Sequence, residues 1–351
     1  MPAVSTGGLP VSKEAAKFEN LSRGEFVAFL EGIGKATVDG RPVEASRTAF
    51  ITAFIRAFHS VNENPKVFDD WMAAQLLTAE EYSFFEEMYY RRTLKDLTEV
   101  PAFHAPRRSV ITTAMRAGAA AGILSRARFA EESLEKAVAA GVRQYVLLGA
   151  GLDTFALRRA DLISKIRVIE VDHPATQAIK RQRLAAMGFS LPPSLHFVAV
   201  DFSAEDLPCA LSRSCYDSEI PAFFSWLGVT YYLEREHLFH VLRRLGETAA
   251  PQSLIAFDYM SAEAFDPGKA TAQVQKLKDK VRGLGEPMKT GLDPKVLGRD
   301  LMAVGWELRQ NLSAEDIEEI YFQRCTKGFR AGKHLHLALA ALPSRPGIRG
   351  G

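Results

Sequence analysis

The chain has 351 residues, 47% hydrophobic and 25% charged, with a formal net charge of +2. That length suits one large α/β domain or two smaller ones, and the near-neutral balance without a long basic run argues against nucleic acid as a partner. The three cysteines, Cys209, Cys215 and Cys325, lack metal-ligand spacing and read as idle thiols in a reducing, cytoplasmic compartment.

Residues 1–20 are polar and charged, so they read as a flexible leader without a secretory signal. No apolar run approaches the about 20 residues that span a bilayer, so no membrane association is expected. From Ser22 to Leu97 the pattern is helical. Ala49, Phe50, Ala53, Phe54, Ala57 and Phe58 recur at helical spacing, as do Trp71, Leu76, Phe84, Phe85 and Met88. This aromatic stripe reads as core. Pro101 and Pro106 mark a break. Helices are expected near 109–125 and 129–140, the second closed by Gly141.

The most telling stretch is Tyr145-Val-Leu-Leu-Gly-Ala-Gly-Leu-Asp-Thr154. Four apolar residues run into Gly149 and Gly151, and a helical pattern begins at Phe155. This reads as a buried parallel strand, a glycine turn and a helix start, where backbone can approach a ligand closely. A second strand, Ile166–Val171, ends in Glu170 and Asp172. Carboxylates at that point commonly hold a ribose, so a nucleoside-containing cofactor is expected here. Further strands are read at 195–200, 222–227, 254–257, 306–312 and 335–342, with helices at 175–187, 235–248, 270–284, 294–304 and 314–321. The alternation calls for a parallel sheet covered on both faces. Residues 260–301 interrupt the rhythm and read as an insertion over the sheet's carboxyl edge. The expected organisation is a leader (1–20), a helical layer (21–140), a cofactor-binding core (141–260), a cap (261–301), a terminal hairpin (302–344) and a loose tail (345–351).

Five segments resemble those of class I S-adenosylmethionine-dependent methyltransferases, and more narrowly the leucine carboxyl methyltransferase-like group. They are Ser125-Arg-Ala-Arg-Phe-Ala-Glu-Glu132, Leu148-Gly-Ala-Gly-Leu-Asp-Thr154 with Arg158, Glu170-Val-Asp-His-Pro174, Val200-Asp-Phe202 and Ser225-Trp-Leu-Gly-Val-Thr-Tyr-Tyr-Leu233. The resemblance implies an α/β fold: a Rossmann-like seven-stranded sheet with helices on both faces, a final hairpin, an N-terminal helical layer and an inserted cap. It also implies S-adenosyl-L-methionine as cofactor, contacted by Arg126 or Arg128, Gly149, Asp172, Asp201 and Phe202. The group includes natural-product O-methyltransferases, which suggests O-methylation of a small organic acceptor. One departure stands out: many relatives carry Glu after the fourth-strand Trp, where this chain has Leu227.

Each residue also has a plainer reading. Gly149 and Gly151 can be an ordinary tight turn. Asp153 can cap the helix or touch cofactor. Glu170 can grip the ribose beside Asp172 or pair with Arg143 or Arg167. Asp201 can accept from the adenine amino group or cap a helix. Arg126 or Arg128 suits the methionine carboxylate, the alternative being solvated surface charge. Trp226, Tyr231 and Tyr232 can face the sulfonium, the two tyrosines lining a substrate pocket, or belong to the core. His173 can be a base or a cap. His59, His104, His334 and His336 show no metal spacing, and no metal is expected. A nicotinamide-dependent oxidoreductase is the competing enzyme reading, though Leu152–Phe155 lacks its third glycine. A partner-binding, non-enzymatic relative is the other alternative.

Overall fold

The computed structural model describes residues 15–19, 21–38, 40–97, 106–202, 205–323 and 328–344. Most of the expected leader, the tail at 345–351, Pro101, His104 and Cys325 lie outside the described residues. Of the leader, Ala15–Glu19 forms helix α1, and Phe18 is fully buried with its ring edge-on to Phe29 and Phe84.

Helix α2 (Arg23–Gly32) starts at a capping box between Ser22 and Glu25. An antiparallel hairpin follows, β1 (Lys35–Val38) with β2 (Arg41–Glu44), where the sequence pattern suggested helix. The Asp-Gly pair at 39–40, a strong hairpin signal, sits between them. Helices α3 (Arg47–Asn62), α4 (Ala79–Leu97), α5 (Arg107–Arg116) and α6 (Ala120–Ala139) complete the N-terminal layer. The expected break near 126–128 is absent. Arg126, Ala127 and Arg128 are good helix formers, and the interruption falls at Gly118 instead. Gly141, with φ +110°, closes α6 as expected.

Seven strands form one sheet: β3 (Gln144–Leu148), β4 (Arg167–Asp172), β5 (Leu195–Ala199), β6 (Ala222–Trp226), β7 (Leu254–Met260), β8 (Glu307–Leu312) and β9 (Leu335–Ala341). Their order is β5-β4-β3-β6-β7-β9-β8. Strands β3 to β7 pair in parallel, and β9 runs antiparallel to both β7 and β8. Strand order reverses between β3 and β6, where open α/β sheets place their ligands, outside the carboxyl ends.

Alternation sorts the strand side chains onto two faces. Tyr145, Leu147, Val168 and Phe223 pack under α3, α4, α6 and α9 (Pro174–Ala186). Val146, Leu148, Ile169, Val171 and Phe224 pack against α10 (Leu207–Ser212), α11 (Arg235–Thr248) and α13 (Leu297–Met302). The insertion after β7 carries α12 (Ala272–Gly283) and crosses the carboxyl edge. The Tyr231 carbonyl accepts from the Lys289 and Thr290 N–H groups at 2.7 and 3.3 Å, strapping the insertion to the end of β6. No helix among the described residues is long and apolar enough to cross a membrane.

Candidate active site at the carboxyl edge of the sheet

Gly149 and Gly151 follow β3 at φ +73° and +53°. A Cβ at Gly149 would lie 2.5 Å from Val229 Cγ2, and one at Gly151 would lie 3.3 Å from the Ala49 Cβ at the start of α3. Only glycine meets both demands at position 149. The turn is held to β4: the Val171 carbonyl accepts from the Gly149 and Ala150 N–H groups at 2.8 and 3.1 Å. Asp172, at the end of β4, accepts from the Gly151 N–H and, at 2.6 Å, from that of His173. Burial pushes the Asp172 carboxyl up, against those two bonds. A carboxylate has about four acceptor positions, so Asp172 keeps capacity for a diol.

The helix expected from Phe155 lasts one turn, Phe155–Arg158. Asp153 caps its first amide, accepting from the Phe155 N–H at 2.7 Å. Beneath this loop lies a buried ionic network. Asp70 accepts from the Thr154 hydroxyl, from Arg56 at 2.8 Å and from Arg158 at 3.1 Å. Arg56 also donates to the Leu152 carbonyl at 2.7 Å. The Leu-Asp-Thr stretch is thus clamped from below by α3 and by the loop that carries Asp70.

The two candidate arginines part company. Arg126 reaches the strand ends, where its Nη1 donates to Asp258 and to the Tyr231 hydroxyl, each at 3.0 Å. Burial works against its charge, but Asp258 and Tyr231 more than offset this. Its guanidinium lies over Gly228 (φ +73°), where a Cβ would come within 2.5 Å. Asp258, in β7, is fully buried and also accepts from the Gly228 N–H at 2.6 Å. Arg128 points elsewhere, to Glu132 at 2.7 Å, the Val67 carbonyl and the Tyr321 ring.

The other candidates differ in where their side chains lie. Glu170 pairs with Lys180 of α9, both buried, and not with Arg143 or Arg167. Arg143 is taken up by the Val138 and Val142 carbonyls and Arg167 by that of Cys215. Trp226 is wholly buried in the core with its indole N–H unpartnered, so no ring face is open to a sulfonium. His173 caps α9, its Nδ1 accepting from Ala175 at 3.3 Å. Asp201 and Phe202 follow β5, with Phe202 half-buried against the core. Tyr231 and Tyr232 meet edge-on at 4.8 Å and share an apolar cluster with Val274 and Leu277 of α12. Leu227 packs against core residues. Asp258 is the residue the sequence reading missed; its one signal was a carboxylate following the apolar run 254–257.

The family model described as leucine carboxyl methyltransferase matches residues 49–246. The chain belongs to this family. It is similar to the Bacillus subtilis (strain 168) protein named "Putative S-adenosyl-L-methionine-dependent methyltransferase YktD", 31% identical over 307 residues, covering 84% of this chain and 97% of that one. A Mycobacteroides abscessus relative described in the same words, without the gene symbol, is 32% identical over 208 residues, 58% of this chain and 66% of that one. A solved DUF574 family structure from Streptomyces avermitilis aligns over 86% of this chain and 99% of its own, at TM-score 0.49 and 16% identity. The protein is an S-adenosyl-L-methionine-dependent methyltransferase, and S-adenosyl-L-methionine is its cofactor. The strand ends suit that group. Gly149, Gly151 and Gly228 keep the backbone at the strand ends close to Val229, Ala49 and Arg126, and Asp172 and Arg126 are the two charge types that a ribose and an amino-acid carboxylate require. Among the described residues no group of His, Cys, Asp and Glu is placed to hold a metal ion.

Proposed function

We propose that this methyltransferase methylates oxygen, on a carboxylate or acidic hydroxyl of a small organic molecule. The observation that carries this reading is that the Tyr231 and Tyr232 phenols and the ring nitrogens of His173 and His334 are each protonated or already engaged. Tyr231 is pushed up to about 12 by burial and Tyr232 is raised likewise, so both phenols keep their protons near neutral pH. The Nδ1 of His173 is spent as a helix cap. His334 is held between the Ser261 hydroxyl at Nδ1, 3.0 Å, and the Thr271 N–H at Nε2, 3.2 Å. An acceptor that arrives ionised needs no base, and a carboxylate or acidic phenol does so.

In this reading Asp172 holds the ribose, Arg126 the methionine carboxylate, and Asp201 and Phe202 the adenine, over the turn of Gly149 and Gly151. Arg128, Glu170 and Trp226 are left out because of where their side chains lie, and Asp153 acts as the cap of the turn. When bound, S-adenosyl-L-methionine supplies a methyl group on a positive sulfur that an oxygen anion can take by in-line displacement. The chain aligns the reactants and excludes water, which favours a step whose charges cancel. The N-terminal layer and the insertion close over the edge through Glu286, whose carboxylate accepts from the Arg47 N–H at 3.0 Å and the Thr48 hydroxyl at 2.6 Å.

The test is transfer of a labelled methyl group to a panel of carboxylic acids, phenols, amines and thiols, after calorimetry with S-adenosylhomocysteine. Methyl esters or ethers are expected. Transfer confined to nitrogen or sulfur would overturn the oxygen assignment.

A further inference from the structure

A long helix after β3 would hold the glycine turn through its own ladder of hydrogen bonds. Here the helix lasts four residues, Phe155–Arg158, and the backbone leaves the helical region at Arg159, with φ −102° and ψ 58°. One helical turn is marginal by itself, because its nucleation costs more than the first hydrogen bond returns. The residues between the glycines and this turn need support from another element.

That support comes from the N-terminal layer. Asp70 lies on the segment between α3 and α4 and is 1% exposed, and Thr154 is wholly buried. Oδ1 of Asp70 accepts from the Thr154 hydroxyl and lies 3.1 Å from Arg158 Nε, while its Oδ2 accepts from Arg56 Nε at 2.8 Å. The Thr154 hydroxyl in turn accepts from Arg158 Nε at 2.8 Å, so Asp70, Thr154 and Arg158 close a ring of contacts. Arg56 gives a second arm to the Leu152 carbonyl at 2.7 Å, and Arg158 gives one to Glu131 of α6. The Phe68 ring, from the same segment as Asp70, covers the Arg158 guanidinium at 4.8 Å.

The direction of these contacts distinguishes them from a general ion-pair network. Two partners of Asp70, Thr154 and Arg158, stand in or beside the short turn, and the third, Arg56, reaches Leu152. Asp153, between the gripped residues, spends its carboxylate on the Phe155 N–H. All of the grip therefore falls on the stretch that leads out of Gly149 and Gly151. A loop shaped in advance loses less freedom when a ligand settles on it, and that difference appears as affinity.

We propose that Asp70 is a positioning residue for S-adenosyl-L-methionine, and that through Thr154, Arg56 and Arg158 it sets the shape of the loop at 149–154 on which the cofactor rests. This rests on the placement of the cofactor over the glycine turn and adds a residue outside the sheet to it. Asp70 acts from beneath the loop and does not meet the ligand, which makes the N-terminal layer a working part of the cofactor site.

The experiment measures calorimetric affinity for S-adenosylhomocysteine and the melting temperature of the full chain in wild type, Thr154→Val, Thr154→Ser and Asp70→Asn, with binding read well below each melting temperature. Thr154→Val removes only the hydroxyl and should bind about tenfold more weakly, the scale of one hydrogen bond to a charged group. Thr154→Ser restores the hydroxyl and should return to within about threefold of wild type. Asp70→Asn should lose at least as much as Thr154→Val, and if it does not fold the two threonine variants decide. A purely structural role would lower the melting temperature and leave the affinity of the folded protein unchanged, so binding of Thr154→Val within twofold of wild type overturns the proposal. Wild type that fails to bind S-adenosylhomocysteine at all would instead strike the placement of the cofactor, and the proposal with it.

Discussion

Asp258 shows how one buried carboxylate can organise a binding edge. It holds the Gly228 N–H with one oxygen and Arg126 with the other, while Tyr231 takes a second contact on the same guanidinium nitrogen. A free arginine loses much side-chain entropy on binding, and one already fixed loses less. In the proposed reading Arg126 meets the methionine carboxylate, and Asp258 acts through it as a positioning residue. Arg126→Gln and Asp258→Asn should therefore each weaken S-adenosylhomocysteine binding by about 10–100-fold, from about 1.5–3 kcal/mol for a charged hydrogen bond. The double variant should cost little more than the worse single one, because both remove the same contact. Calorimetry below each variant's melting temperature reads this, and simple addition of the two losses would show that Asp258 acts independently. Gly149, Gly151 and Asp172 were legible as turn and strand-end residues because each closes an apolar run that forms a strand. The sequence did not disclose Asp258, whose partner is 132 residues away in the chain. For the same reason it could not choose between Arg126 and Arg128, which lie on different sides of one helix.

Elements with a strong period were legible, and those decided by tertiary contact were not. Helix α11 falls where the pattern puts it, Arg235–Thr248, since its apolar positions keep one face. The hairpin of β1 and β2 was missed because four-residue strands carry too few alternations to outweigh the helical stretches on either side. Between elements, the buried pair Glu170–Lys180 ties β4 to α9. Burial pushes the Glu170 carboxyl up while Lys180 opposes it, so the pair stands only as a pair. Glu170→Ala should destabilise the protein by about 3–5 kcal/mol, because it leaves an uncompensated buried ammonium. Glu170→Met with Lys180→Met should recover most of that loss, since two apolar side chains of similar volume need no counter-charge. Urea unfolding of the two proteins beside wild type decides it. A double variant as unstable as Glu170→Ala would mean that the methylenes or the strand geometry, and not the charges, hold this joint.

At the scale of the whole molecule, three chain segments far apart in sequence converge on one rim. The start of α3 places Ala49 where a side chain on Gly151 would have to go, the insertion holds that start through Glu286, and the Tyr231 carbonyl binds the insertion at Lys289 and Thr290. A ligand that binds the folded chain across these segments stabilises it by mass action. S-adenosylhomocysteine at about 100 times its Kd should therefore stabilise the folded state by about 2.7 kcal/mol and raise the melting temperature by a few degrees. The pattern of protection is the sharper expectation. Amide exchange should slow together at 46–52, 149–154, 228–232 and 284–290, because those amides report one cooperative closure. The β1–β2 hairpin, whose residues are mostly exposed outside the strand ends, should change little. Hydrogen-exchange mass spectrometry with and without the ligand makes the measurement. Protection confined to 149–154, with the insertion exchanging as before, would mean that the cap closes on the acceptor and not on the cofactor.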